Sequence, residues 1–342
     1  MGVNISDIIP KKEISMKDLR GKVIAVDAFN TLYQFLTSIK QPDGTPLMDS
    51  KGNITSHLSG LFYRNIRLLM DGIKLVYIFD GKPPKLKEAE LKKRREAKML
   101  AEGKFEAAKS AGDIAGMEKY SGRFVKITDE IIRESKELLI ALGIPVIQAQ
   151  GEGEAEASVL AREGVVWAAA SQDYDSILYG APYLVRNLTL ARRRKTNSGL
   201  YIDINPEIIE FKAVLQELKI NKDQLICLAI LVGTDYNPGG VKGLGQKRAL
   251  EMVQKNIEPK EIFKSVEDSD KYELTFDWEE IFKQFHEYES TDEDIVFTSI
   301  DEELVKKILL KHDFSENRID SGLEKLRKLE ADKKQRGLSD FF

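Results

Sequence analysis

A chain of 342 residues, 42% hydrophobic and 32% charged, is long enough for one large α/β domain or two smaller ones, and its formal net charge of −4 argues, as an average, against a nucleic-acid partner. The longest apolar runs, such as Leu225–Val232, fall far short of the ~20 residues that cross a bilayer, and the start, MGVNISDIIPKK, lacks the charged and apolar regions of a secretory leader, so a cytoplasmic protein is expected. Cys227 sits inside an apolar run and His57, His286 and His312 are scattered, which leaves no thiolate or imidazole zinc set; any metal must be held by oxygen, and oxygen sites favour magnesium or manganese.

In chain order, KVIAVDA reads as a strand ending at Asp27, and NTLYQFLTSI as the helix that follows. ITSHLSGLFYRNIRLLM has helical spacing, and KLVYIFD is a second strand ending at Asp80. A long insertion then runs from Gly81 to about Lys126. Between Lys85 and Lys109 it carries nine basic and five acidic residues, with Lys92, Lys93, Arg94 and Arg95 in one run. Pairs such as Glu88–Lys92 and Glu90–Arg94 suit a solvated helix. Placed directly after Asp80, the same helix suits a basic structure that draws in phosphates. IPVIQ is a third strand, and VVWAAASQD a fourth, ending at Asp173 with Asp175 two residues on. A second basic cluster follows at Arg192, Arg193, Arg194 and Lys195.

This alternation predicts an α/β protein with a mostly parallel central sheet flanked by helices. Any one acid after a strand is ordinary turn or cap chemistry. Four in succession are more than that, because ligands of open α/β sheets bind outside the carboxyl ends of the strands. Asp27, Asp80, the Glu152 region, Asp173 and Asp175 are therefore expected to converge on one crevice. In QGEGEAEASVL, Glu152, Glu154 and Glu156 alternate just where a helix begins, and helical geometry alone would pair Glu152 with Glu156.

Farther on, GTDYNPGGVKGLGQKRALEMV places another acid, Asp235, after an apolar segment, ahead of an apolar-x-Gly-apolar-Gly hairpin. Gly243 and Gly245 let backbone approach a phosphate, the next helix offers its N-terminal N–H groups, and Lys242, Lys247 and Arg248 add charge. Beyond about residue 255 the chain reads as helices, with one short apolar run, DIVF. It ends in KKQRGLSDFF, whose Gln335, Leu338, Phe341 and Phe342 would project from a single turn into a partner's apolar groove.

Six or seven carboxylates cannot share a crevice as anions without cations: two of them ~4 Å apart repel by ~4 kcal/mol at an effective dielectric near 20. Two magnesium ions would neutralise the set, and paired metals are a known solution for splitting phosphodiesters.

With these features assembled, the chain resembles the structure-specific 5′ nucleases, most closely the archaeal flap endonucleases. The resemblance runs through VDAFNTLYQFL, TSHLSGLFYRNIR, FDGKPPKLKEAELKKR, GEGEAEA, ASQDYDS, LVGTDYNPGGVKGLGQKRAL and QRGLSDFF. It implies a two-metal site on Asp27, Asp80, Glu152, Glu154, Asp173, Asp175 and Asp235, with Mg2+ as cofactor and Mn2+ as its substitute. It makes Lys87 and Arg94 the basic residues that reach the scissile phosphate, Tyr33 an aromatic that stacks on a base near the cut, and Arg64 a contact on the 3′ side of the substrate. Gly2 falls near the active site. The glycine hairpin matches the element that grips duplex phosphates, often through K+, and the terminal segment resembles the peptide that binds a PCNA-type sliding clamp.

GEG stands where the family more usually has Pro-Ser, and the long basic eukaryotic tail is absent, which points to an archaeal protein. The implied organisation is one nuclease domain over 1–330, with a helical arch over about 81–126 and a helix-hairpin-helix over about 225–256, followed by a flexible clamp-binding tail over 331–342. The implied function is 5′-flap endonuclease and 5′–3′ exonuclease activity in replication and repair, by a protein that is monomeric off the clamp. A related 5′ exonuclease or junction resolvase would share the acids, and a non-catalytic adaptor between DNA and clamp would have no reason to keep all seven. Among the three alternating glutamates the family pattern selects Glu152 and Glu154. That agrees with geometry if the helix starts near Glu154, leaving Glu156 in the first turn with a helix-dipole contact. On that reading Glu154→Gln is severe and Glu156→Gln mild.

Overall fold

The computed structural model describes residues 2–339 apart from 42–43, 123–124, 191–192, 196–199 and 292, and the backbone alone at 114, 118, 193–195 and 330–339. Strand β1 is Lys12–Glu13, β2 Val23–Asp27, β3 Lys74–Phe79, β4 Val146–Gln148, β5 Ala168–Ala170, β6 Tyr183–Arg186, β7 Arg193–Lys195, β8 Tyr201–Asp203 and β9 Glu207–Glu210. Seven of them form one sheet in the order β1-β9-β6-β5-β2-β3-β4, while β7 and β8 pair with each other as an antiparallel hairpin. From β4 to β6 the pairings are parallel; β9 and β1 extend that edge antiparallel. The sheet is thus mixed and mostly parallel. Its inner strands, VIAVD, KLVYIF and AAA, are near-continuous apolar runs because helices cover both faces. Of the two edge strands, β4 is legible in IPVIQ, whereas β1, two charged residues long, leaves no apolar run to read.

Helix α1 (Ala28–Ser38) starts directly on β2, capped by Asp27, which accepts from the Asn30 N–H at 3.0 Å. Helices α2 (Ser56–Met70) and α5 (Asp129–Ala141) pack their apolar faces on the core. The insertion between β3 and β4 begins as α3 (Glu88–Ser110) and α4 (Ile114–Ser121), which pack against each other. Helix α6 (Gly153–Arg162) follows β4, and the single turn α7 (Asp175–Leu178) follows β5. The helix therefore starts one residue after Glu152, as the reading of the three glutamates required.

After β9 come α8 (Phe211–Leu218) and α9 (Lys222–Val232), the latter apolar all round and buried beyond its polar first turn. Helix α10 (Gln246–Lys255) packs on α9, and Gln224 Nε2 donates to the Val253 carbonyl at 2.6 Å. Helices α11 (Pro259–Glu267), α12 (Trp278–His286), α13 (Glu302–Leu310) and α14 (Glu316–Ser339) complete the chain. The run DIVF is no strand; it lies in an irregular segment between α12 and α13. Among the described residues no helix is long and apolar enough to cross a membrane.

Candidate active site

Parallel neighbours β3, β2 and β5 bring their carboxyl ends side by side, which is why Asp27, Asp80 and Asp173 share one edge of the sheet. Asp27 is buried at the end of β2, and Asp80 immediately after β3 accepts the Gly153 N–H at 2.6 Å. That bond ties the second acid to the start of α6. A Cβ on Gly153 would lie 2.8 Å from Asp80 Oδ1 and 3.0 Å from the Ile78 carbonyl, so only glycine lets the helix begin so close to β3. Glu152 precedes the helix in extended conformation and Glu154 stands in its first turn, both buried. Asp175 opens α7, and Asp235 comes not from a strand but from the turn after α9.

Burial, with Asp80 next in size, pushes the Asp27 carboxyl up to about 8. Burial raises Asp80 to about 6 against the opposing Gly153 N–H, and Asp175 to about 7 against the opposing Val3 N–H. Burial, then Asp175 and Asp173, lifts Glu154 well above the usual carboxylate range. The crevice is thus short of positive charge, and the insertion supplies some of it. Lys87 contacts Glu152 and lies 3.0 Å from Asp235, while Arg94 reaches Asp235 at 2.7 Å and Glu90 at 2.9 Å. Burial disfavours both cations, yet Glu152, Glu154 and Asp235 outweigh it at Lys87 and raise its pKa, and Asp235 with Glu90 does the same at Arg94.

Two observations bear on a metal. Among the described residues no three acids, histidines or cysteines are gathered as a metal-holding group; instead the Lys87 ammonium stands between Glu152 and Asp235, and the Arg94 guanidinium between Asp235 and Glu90. Glu154 Oε2, however, is buried without a hydrogen-bond partner, an open acceptor in a group of carboxylate oxygens. An all-oxygen donor set with an orphaned buried oxygen fits a hard divalent cation.

The family follows from comparison with known proteins. Residues 1–101 match the XPG N-terminal domain and 143–235 the XPG I-region. Flap endonuclease 1 of Pyrococcus furiosus is 50% identical over 344 residues, covering 100% of this chain and 99% of its own. The chain belongs to the XPG family of flap endonucleases. Flap endonuclease 1 of Sulfolobus acidocaldarius is 47% identical over 352 residues, with 100% of this chain and 99% of its own covered. The solved flap endonuclease-1 of Methanococcus jannaschii superposes with a TM-score of 0.76 at 43% identity, covering 97% of this chain and 100% of its own. The catalytic core of Rad2, solved with a DNA substrate, shares the fold at a TM-score of 0.68 and 23% identity, over 92% of this chain and 96% of its own. The chain is accordingly a structure-specific 5′ nuclease, a phosphodiester hydrolase.

In this flap endonuclease Gly2 sits on the acids themselves. Its N–H donates to Asp173 at 3.0 Å, and the next N–H, of Val3, donates to Asp175 at 2.6 Å. A Cβ on Gly2 would lie 2.7 Å from Asp175 Oδ1 and 2.9 Å from Asp173 Cβ. Gly2→Ala is therefore expected to displace the segment, release both carboxylates and lower kcat about 10-fold at unchanged substrate affinity; single-turnover cutting and a binding titration check it.

Sequence reasoning missed Asn30, whose Nδ2 donates to Asp173 at 3.2 Å, and Tyr236, whose hydroxyl donates to Glu152. A signal existed for each: Asn30 is three residues beyond Asp27 at a helix start, and Tyr236 adjoins Asp235. Glu156 does more than the expected first-turn dipole contact. It is fully buried and accepts from Tyr288 Oη at 3.1 Å, the Thr291 N–H at 2.7 Å and Thr291 Oγ1 at 2.8 Å, so a dipole contact is not its whole role. It fastens the segment after α12 across α6. An amide in Glu156→Gln would turn N–H toward some of those donors, and the variant is expected to lose about 1–3 kcal/mol of stability while still cutting; thermal melting and a flap assay separate the two effects.

The remaining predicted positions lie around the crevice. Tyr33, on α1, is 39% exposed; its hydroxyl donates to the Gly122 carbonyl at 3.3 Å, and Lys98 Nζ stands 5.6 Å from its ring centre. Arg64, on α2, donates to the Leu190 carbonyl at 3.5 Å. Gly243 has φ +83°, which favours glycine, and Gly245 precedes α10. Lys247 and Arg248, with Asn4 and Asp7, line a cavity of about 600 Å³. Arg192 lies outside the described residues, as do the side chains of Arg193, Arg194 and Lys195. Phe341 and Phe342 also lie outside them, whereas the backbone of Gln335 and Leu338 is part of α14.

Proposed function

We propose that this nuclease cuts 5′-flap DNA at Asp27, Asp80, Glu152, Glu154, Asp173, Asp175 and Asp235, with two Mg2+ ions, replaceable by Mn2+, held among those acids. The observation that carries the reading is the pair Lys87 and Arg94 lodged among the acids. Cations extended from a helical insertion onto a carboxylate floor form a place where a phosphate is drawn in from one side and its developing charge met from the other. The bound ions would supply an activated water and charge neutralisation. Lys87 and Arg94 would orient the scissile phosphate, Gly2 and Asn30 hold Asp173, and Tyr33 stack on the base beside the cut.

The helices α3 and α4 serve as the arch under which the flap passes. The elements from α9 to α10 grip duplex phosphates through Gly243, Gly245, Lys247 and Arg248, with K+ as the ion of that hairpin, and Arg64 meets the 3′ side. One nuclease domain spans 1–330, and Gln335, Leu338, Phe341 and Phe342 of the segment 331–342 form the tether to a PCNA-type clamp in replication and repair. Since duplex is held by phosphates, recognition follows shape rather than base sequence, and affinity falls steeply with salt.

The test is cutting of 5′-flap, nicked, four-way and single-stranded DNA in Mg2+ and in EDTA. Cutting near the flap junction in Mg2+ only is expected. Preference for the four-way junction would favour a resolvase, and no cutting of any substrate would leave an adaptor. Deletion of 335–342 should spare cutting and abolish stimulation by the clamp.

A further inference from the structure

We infer that Tyr236 and Tyr179 form a two-hydroxyl relay that positions Glu152 for metal binding. The inference rests on the reading that Glu152 holds a metal. Glu152 precedes α6 with extended backbone, and its side chain makes no capping bond to its own helix, so nothing local fixes its carboxylate. One oxygen, Oε1, meets Lys87, which belongs to the insertion. The other, Oε2, accepts from the hydroxyl of Tyr236, which belongs to the core.

The direction of the relay follows from its proton inventory. An ionised carboxylate only accepts, and a phenol has one proton to give. Tyr236 gives its proton to Glu152, so the 2.8 Å contact between the two hydroxyls must be a bond donated by Tyr179 to Tyr236. Donation into the first phenol strengthens its own donation onward, as in any chain of hydrogen bonds.

The relay is rigidly mounted. The Tyr236 N–H donates to Thr234 Oγ1 at 3.1 Å, the Thr234 hydroxyl to Asn237 Oδ1 at 2.7 Å, and Asn237 Nδ2 to the Ile230 carbonyl at 2.7 Å, which knots the turn after α9. Phe285 of α12 wedges both phenols, its ring centre 5.1 Å from that of Tyr179 and 5.2 Å from that of Tyr236. Helix α12 lies outside both stretches matched by the family profiles, so part of the support for the acids comes from the C-terminal third. Tyr236 touches neither substrate nor metal in this account; it is a positioning residue. One carboxylate oxygen is held by the relay, and the other is left to face a cation.

The test compares the full chain with Tyr236→Phe and Tyr179→Phe. Mn2+ is titrated calorimetrically into the DNA-free protein, kcat and KM are measured on a 5′-flap substrate across Mn2+ concentrations, and melting is followed in EDTA. Tyr236→Phe is expected to weaken Mn2+ binding and lower kcat about 10-fold each, with KM for DNA unchanged and the deficit shrinking as Mn2+ rises. Tyr179→Phe should shift the same quantities in the same direction by less, and it carries the test if Tyr236→Phe does not fold. A variant pair that melts lower yet binds Mn2+ like the parent overturns the relay and leaves the metal reading standing. A parent that binds no Mn2+ overturns both.

Discussion

Asp173→Ala is expected to stop flap cutting in Mg2+, with kcat falling on the order of 10³-fold or more, while affinity for the flap substrate holds or rises. The two halves have one cause. Asp173 lies at the carboxyl edge of the sheet, where Gly2 N–H and Asn30 Nδ2 orient it. On the proposed assignment, removing its charge would take a ligand from the cation site and also a repelling anion from the path of a phosphate. An acid that only stabilised the fold would behave otherwise, lowering the melting temperature and affinity together. Asp173→Asn sharpens the comparison, because its amide oxygen still accepts from Gly2 and its shape is kept while the charge, and with it the acceptor for Asn30, is gone. It should melt near the parent and cut no better than Asp173→Ala. If Asp173→Ala cuts flaps as well as the parent, the assignment of the seven acids is wrong.

What the sequence made legible and what it hid divide along a physical line. VIAVD, KLVYIF and AAA are buried on both faces, so strand and burial leave the same mark, an unbroken apolar run, and the acids at their ends stand out against it. The start of α6 was legible too, because Gly151 and Gly153 flank Glu152 and the charges of Glu154 and Glu156 suit a first helical turn. Hidden were the partners that arrive from far along the chain. Nothing near Glu156 announces Thr291, 135 residues on, and nothing near Glu152 announces Tyr236 at a separation of 84. The antiparallel strands β1 and β9 were hidden for another reason: the half-exposed ladder Lys12↔Ile208 and Glu13↔Glu207 carries mixed residues whose pairing depends on the sheet already being there.

The second large effect concerns the protein without metal. Asp27, Asp80 and Asp175 titrate near 8, 6 and 7 in the folded chain, against about 3.9 for an unfolded aspartate. Between those limits the folded state holds more protons than the unfolded state. Stability in EDTA must therefore fall as pH climbs from about 4 to about 8, the reverse of an ordinary salt-bridged carboxylate. Mg2+ should act in the opposite sense, binding the deprotonated acids of the folded state and restoring stability most at the alkaline end, by about 2.7 kcal/mol at a hundred times its Kd.

Lys87 is the internal counterpart of that ion. Its side chain is 11% exposed and bridges Glu152 and Asp235, so Lys87→Ala leaves two buried carboxylates facing an empty volume. Breaking one partner of a buried pair costs about 3–5 kcal/mol, and here the loss should grow with pH, since Asp27, Asp80 and Glu154, whose anions Lys87 also favours, lose their protons as pH rises. Melting curves of parent and Lys87→Ala at pH 5 and pH 8, each in EDTA and in Mg2+, give the required contrast. The largest gap is expected at pH 8 in EDTA, and Mg2+ should close most of it because an ion takes over the work of the ammonium. Cutting should nevertheless stay about 10²-fold down at saturating Mg2+, for the ion replaces the lysine as a counter-charge to Glu152 and Asp235 and not as a ligand of the phosphate. Equal melting of the two proteins at pH 8 in EDTA would show that Lys87 is a surface cation resting on the acids, and would remove the argument that the crevice requires one.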